Sequence, residues 1–299
     1  SRFWWSAVFW ARAPVAALAG LLAVALPASA ARDRAVRFDT VGALLLVTAL
    51  IALLLAINRA GDTLPFILLA TITVVSVWAF IRQQHRSAHP IIDLALFRKL
   101  RFAALNMANV LINLAGFSVP LLVPFQLARL PDFSIVLDGA LLALSPAGTF
   151  FGAHMAPRLA DRVPAGRMLL IGTALVALGL LTIALLAGRV WWLGVAMLVH
   201  GLGQGLFQVA YFDIITASMA LRDRGVAGSL GMLTRTLGIV SGASVLVLIF
   251  QAIRNGAARW GAEAAFLAGF RGALTCAALI AAALFLVGLF RFPGRARST

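Results

Sequence analysis

Long apolar runs separated by short polar gaps set the pattern of this chain. A membrane-crossing helix needs about 20 mainly apolar residues. Runs of roughly that length fall at about 3–26, 40–58, 65–83, 102–126, 138–156, 167–188, 191–217, 226–252 and 265–290, nine in all. The gaps are short, as expected for antiparallel neighbours in a helical bundle. Trp4, Trp5 and Trp10, and again Trp191 and Trp192, stand near the starts of runs. Indole rings favour that membrane–water boundary.

The polar residues inside the runs are spaced as a helix requires. Asn106, Asn109, Asn113 and Gly116 recur at three- and four-residue steps and share one face of the fourth run. Pro120 and Pro124 continue that helix and should bend it, and Gln126 ends it near an interface. Asparagine is costly in lipid, so this face must point into the bundle. Two readings fit: amide glue between helices, or the wall of a substrate cavity. His200, Gln204, Gln208 and Tyr211 make a second stripe on the run at 191–217, with the same two readings. Gly201, Gly203 and Gly205 beside them allow close helix approach or local unwinding. His200 taken alone reads more simply as a satisfied core histidine than as a proton carrier.

Charges fall inside runs as well, among them Asp213 and Arg235. Asp213 precedes Arg222 by nine residues, roughly 13 Å of helix, and Arg235 follows Arg224 by eleven, roughly 16 Å. On antiparallel helices both would lie near mid-membrane, where an unpaired charge is strongly disfavoured. An Asp213–Arg235 ion pair is therefore expected, either as a fixed strut or as a pair that proton binding breaks. A regular helix sets Asp213 almost opposite the His200 stripe. Gly228, Gly231, Gly238 and Gly242 flank Arg235 at helical spacing, which predicts a seam packed on a neighbouring helix rather than on lipid.

Composition strengthens the membrane reading. The chain is 62% hydrophobic and only 12% charged, with a mean hydropathy of +1.00. That excludes an ordinary soluble enzyme, a disordered chain and a disulfide-built secreted domain. Cys276, the single cysteine, has no internal partner and lies in an apolar run. It reads as a small buried hydrophobe. The net charge of +15 does not mark a nucleic-acid surface, because the cations sit in gaps between apolar runs. Alternate gaps carry 16 and 6 of the 25 Lys+Arg, and Arg12, Arg235 and Arg271 lie within runs. The positive-inside rule puts the 16-cation side and the C-terminus in the cytoplasm. No signal peptide, ATP-binding loop or H-E-x-x-H or G-x-S-x-G motif is visible. His85, His89, His154 and His200 are scattered, so no metal or cofactor site is expected.

Four stretches carry a family resemblance. His89-Pro90-Ile91-Ile92-Asp93-Leu94-Ala95-Leu96-Phe97-Arg98, running on to Arg101-Phe102, resembles an H-P-L-L-D-L-x-L-F-R loop. By its own pattern it is a short amphipathic piece for the membrane surface. Phe38-Asp39-Thr40-Val41-Gly42 resembles an F-D-x-x-G helix start. Arg158-Leu159-Ala160-Asp161-Arg162 through Arg167 resembles an L-A-D-R-x-G-x-R-R gating loop, with Pro164 at a usual glycine and Gly166 at a usual arginine. Arg224-Gly225-Val226-Ala227-Gly228 through Arg235-Thr236-Leu237-Gly238 resembles an R-G-x-A-S-G…R-x-L-G stretch. Together they are similar to the fourteen-span drug:proton antiporter branch of the major facilitator superfamily, the EmrB/QacA-like group.

The resemblance implies an all-α, polytopic membrane protein with a C-terminal six-helix transporter bundle and two extra central helices. Residues 1–26 would be the last helix of the N-terminal half, 27–101 the two extra helices with their loops, and 102–299 the C-terminal half with a short cytoplasmic tail. The chain would then lack about five N-terminal helices, among them the one with the family's antiporter signature. It starts at Ser1, and nine is an odd number for a transporter of repeated halves. Asp161, Arg162 and Arg167 would form a cytoplasmic latch that pairs with helix ends. The first helix of the C-terminal half would line the substrate cavity. The implied function is proton-coupled efflux of small amphipathic or drug-like compounds by alternating access, in the inner membrane of a bacterium. The partners would be the bilayer, a small-molecule substrate, protons and the remaining N-terminal half. The alternative is a non-transporting membrane anchor or assembly partner. A membrane-embedded enzyme lacks any supporting constellation.

Overall fold

The computed structural model describes residue 10 and residues 12–24, 39–59, 61–87, 100–129, 135–186, 188–219 and 224–291. The chain divides into two units, Ser1–Phe38 and Asp39–Thr299. The first contributes one described helix, α1 (Arg12–Val24), so part of the first expected span lies outside the described residues. The H-P-I-I-D-L-A-L-F-R loop at 89–98 lies outside them as well.

The second unit is a succession of long helices. In chain order they are α2 (Thr40–Asn58), α3 (Thr63–Arg86), α4 (Leu100–Gly116), α5 (Ser118–Leu127), α6 (Ile135–Ala160), α7 (Ala165–Leu185), α8 (Val190–Ala217), α9 (Arg224–Gly256) and α10 (Ala262–Arg291). A single 3₁₀ turn, Ala258–Trp260, joins the last two. Counting α4 with α5, eight spans among the described residues are long and apolar enough to cross a membrane. Their polar backbone is satisfied within each helix, as a bilayer requires. Large apolar residues such as Leu64, Val74, Trp78, Phe150 and Leu279 face outward. In water such a surface would aggregate; in a bilayer it meets its solvent.

Proline breaks the fourth span where expected. Pro120 has no N–H to give to Gly116, and the helix breaks at Phe117, between α4 and α5. Phe117 N–H still donates to the Asn113 carbonyl at 3.1 Å and its carbonyl accepts the Leu121 N–H at 3.2 Å, so hydrogen bonding continues across the break. The Ser118 hydroxyl takes up the Ala115 carbonyl at 2.7 Å.

Helix α2 starts at a clasp that explains its F-D-x-x-G sequence. Asp39 caps the helix by accepting the Gly42 N–H at 2.8 Å. It also accepts the side-chain amides of Gln83 at 3.1 Å and Gln84 at 3.0 Å, from the end of α3. A Cβ at position 42 would collide with the Asp39 carboxylate and the Gln84 amide, so only glycine leaves room. The Gly42 N–H and the glutamine amides hold the Asp39 carboxyl below the usual carboxylate range.

The α2–α3 hairpin touches the rest of the unit through α2 and α9. In the six-span bundle α8 is central, packed between α6 and α7. Gly201 and Gly205 bring the α8 backbone against the α6 backbone at Ser145 and Thr149, while Gly203 faces Gly172 and Val176 of α7. Of the two roles foreseen for these glycines, close approach is the one realised: α8 runs unbroken from Val190 to Ala217. The second layer pairs α9 with α4 and α10, and α10 with α7. Gly238 and Gly242 seat α9 on Val110–Leu114 of α4, and Gly231 meets Phe212 and Tyr211 of α8. Three of the four seam glycines thus pack on protein, as their spacing predicts, whereas Gly228 has nothing within 4 Å of its missing side chain.

Candidate substrate cavity

The two polar stripes face each other across the bundle and are joined by hydrogen bonds. The Tyr211 hydroxyl of α8 donates to Asn106 Oδ1 of α4 at 2.9 Å, and the Gln204 amide donates to Asn113 Oδ1 at 3.0 Å. Asn113 in turn donates to Asn109, to its carbonyl at 2.7 Å and its Oδ1 at 2.9 Å. The Asn109 amide reaches α9, where it donates to the Gly231 carbonyl at 3.0 Å and the Thr234 hydroxyl at 2.8 Å. All three asparagines are buried. Amide glue is therefore realised, and it ties α4 to both α8 and α9.

At one end of the same network Asn113, His200 and Gln204 line a cavity, whereas Asn106, Asn109, Gln208 and Tyr211 are outside its lining. Between α4–α5, α6, α8 and α9 lies a cavity of about 490 Å³. Asn113, Gly116, Ser145, Thr149, His200, Gln204 and Arg235 line it, with Phe117, Pro120, Pro124, Pro146 and Met197. His200 is buried, and its Nδ1 lies 3.1 Å from the Ser145 hydroxyl. Its Nε2 has no partner among the described residues, and neither has Gln204 Oε1. Both atoms crowd the missing side chain of Gly116, where a Cβ would stand 3.3 Å and 3.1 Å from them. A buried polar atom without a partner costs on the order of 1–3 kcal/mol. Two of them, close together beside Gly116 in residues that line one cavity, leave bonding that water or a ligand can complete.

Gln208, one turn further along α8, has both amide atoms without partners and lies outside this cavity's lining. Sequence reasoning missed Ser145, Thr149 and Thr234. Single hydroxyls are common in membrane helices and give no stripe of their own. The signal was present only as Ser145-Pro146, a polar break inside an apolar run.

The expected Asp213–Arg235 ion pair is absent. Arg235 lines the cavity, whereas Asp213 is exposed and opens on a different cleft with Arg101, Ala165, Gly166 and Ser218. The error lies in the assumed helix end. Helix α8 stops at Ala217, so Asp213 is only about one turn, roughly 6 Å, from its terminus, while Arg235 is roughly 16 Å into α9. Asp213 also points away from the His200 stripe, as its spacing foretold. The latch residues Asp161, Arg162 and Arg167 lie on or beside an exposed turn between α6 and α7. The ion pairs among the described residues are Arg59–Asp62 and Arg129–Glu263, so the latch residues pair with no helix end within them.

The sequence model of the Major Facilitator Superfamily matches residues 1–243. The chain belongs to that superfamily. Among the described residues its helical fold is that of a polytopic membrane protein of this superfamily. It is 25% identical to the riboflavin transporter RibZ of Clostridioides difficile, over 83% of this chain and 55% of RibZ. It is 28% identical to the multidrug efflux pump LfrA of Mycolicibacterium smegmatis, over 84% of this chain and 51% of LfrA. A crystal structure of a bacterial homologue of the human lysosomal transporter Spinster, inward-facing and unoccupied, aligns with a TM-score of 0.53 at 18% identity. That alignment covers 76% of this chain and 58% of the other. This superfamily member thus spans about half the length of the curated relatives it matches.

Proposed function

We propose that this superfamily member is the C-terminal part of a secondary transporter that exports small amphipathic compounds in exchange for protons. The observation that carries the proposal is the cavity between α4–α5, α6, α8 and α9, lined by Asn113 of one polar stripe and by His200 and Gln204 of the other, whose Nε2 and Oε1 lack partners among the described residues. A non-transporting anchor has no use for such a chamber, whose polar lining is costly in a membrane. In this reading 1–26 belongs to the N-terminal half, 27–101 carries the two extra helices of the fourteen-span branch, and 102–299 is the C-terminal half. The end bearing Arg101, Arg158, Arg162 and Arg224 faces the cytoplasm of a bacterial inner membrane. Rocking of the two halves about a midplane site would expose the cavity to each side in turn. A multidrug pump and a riboflavin transporter among the relatives agree with a small organic cargo.

The test is transport by the full-length protein in proteoliposomes with an imposed pH gradient. Movement of a fluorescent amphiphile that follows the gradient and stops with an uncoupler supports the reading. Movement indifferent to the gradient removes the proton coupling, and no movement of any compound favours the anchor.

A further inference from the structure

The charge of the cavity wall identifies what it takes. Among the described residues, Arg235 is the one Arg, Lys, Asp or Glu in the lining. The described carboxylates lie elsewhere: Asp39 caps α2, Asp62 and Asp161 sit in turns, Glu263 pairs with Arg129, Asp213 opens on the other cleft, and Asp138 is outside the lining. Arg235 has no ion-pair or hydrogen-bond partner among the described residues. A guanidinium at this depth in a membrane protein needs a counter-charge. Across the same cavity, Gln204 offers an acceptor and His200 a ring nitrogen, both buried and unused. Among the described residues no carboxylate lines the cavity beside Arg235, so a cationic cargo would meet the guanidinium there.

We propose that Arg235 is the charge-selecting residue of this cavity and that its ligand is a small organic anion with hydrogen-bonding groups on a flat apolar body. The guanidinium donates from its planar fork to the carboxylate or phenolate oxygens. Gln204 Oε1 and His200 Nε2 take the polar edge, and Phe117, Met197 and the prolines cover the body. This rests on the transport reading for its biological meaning, but ligand binding is measurable apart from it.

The experiment uses the full-length protein in lipid nanodiscs and two flat dyes of opposite charge, carboxyfluorescein and ethidium. Binding is read by fluorescence anisotropy and transport by dye flux in proteoliposomes. Carboxyfluorescein should bind, Arg235→Gln should weaken it about tenfold or more, and Arg235→Lys should retain part of the affinity. Size-exclusion profiles of both variants check that they fold. Gly116→Ala, which crowds Gln204 and His200 without touching charge, should weaken binding with Arg235 intact. Ethidium bound as tightly as carboxyfluorescein, or carboxyfluorescein bound equally by Arg235→Gln, overturns the inference. Anion binding through Arg235 without flux upholds the ligand class and overturns the transport reading. Binding of neither dye overturns the inference, while gradient-driven flux of another amphiphile would still uphold the transport reading.

Discussion

Asn109 is the knot of the polar network, and its replacement by leucine gives the sharpest test of what holds α4 to α9. The side chain is fully buried and donates twice across the interface, to Gly231 O at 3.0 Å and Thr234 Oγ1 at 2.8 Å. Interhelical hydrogen bonds in membranes contribute about 0.6 kcal/mol on average and up to about 1.7 kcal/mol. Two of them give about 1–3 kcal/mol. The neighbours limit the loss. Thr234 keeps its bonds to Leu230 O and Gly231 O, and Asn113 keeps the Asn109 carbonyl, so leucine leaves no polar atom stranded. The expected destabilisation is therefore at the lower end, about 1–2 kcal/mol. It should appear as a lower thermal midpoint of the detergent-solubilised full-length protein. A double-mutant cycle with Thr234→Val should show a coupling of about 0.5 kcal/mol or more. An unchanged midpoint together with zero coupling would refute the claim that this amide ties the two helices.

Other outcomes follow from the same geometry. Asp39→Ala should cost about 1 kcal/mol as a lost N-cap and should loosen the α2–α3 hairpin, read as faster proteolysis near residue 87. Because folding lowers the Asp39 pKa, its contribution is complete above the unfolded carboxylate value near 3.8. It should fade as pH falls through the lower folded value, so a proteolysis profile that changes only near neutrality would count against this cap. Arg129→Gln should change stability by less than about 1 kcal/mol, since its pair with Glu263 is 41% and 65% exposed. A loss of several kcal/mol in a thermal melt would mean that the stacking of Arg129 on Phe266, at 3.8 Å, carries far more than an exposed cation–π contact. Gly205→Val should disrupt the α6–α8 packing and abolish a monodisperse peak on size exclusion, because its Cβ would enter the Thr149–Ala153 backbone; a normal peak would show that the two helices can separate at little cost.

Most of the fold was legible because one rule dominates a membrane chain: backbone must be helical and lipid-facing side chains apolar. Run lengths alone placed α2 to α10 within a few residues of their ends. The stripes were legible because asparagine and glutamine in lipid must face protein, and helical spacing then fixes which residues share a face. Pairing across helices was not legible, since it depends on crossing geometry that spacing does not contain. Asp213 shows the consequence. Its depth was reckoned from Arg222, but the helix ends at Ala217, and a shift of little more than a turn moved it out of reach of Arg235. The cost of Arg235 is legible in the sequence, but its place on the cavity wall depends on how α9 packs against α4 and α8.

The central claim is that the chamber walled by Asn113, His200, Gln204 and Arg235 is where cargo binds. Thiol labelling in the full-length protein, in a background without other cysteines, tests it most directly. Gln204→Cys should react with a small water-soluble thiol reagent, and a transported compound should slow that reaction in proportion to its occupancy. Val195→Cys, on the exposed face of the same helix, should show no such protection. Labelling of Gln204→Cys that is unaffected by a saturating transported compound would contradict the account.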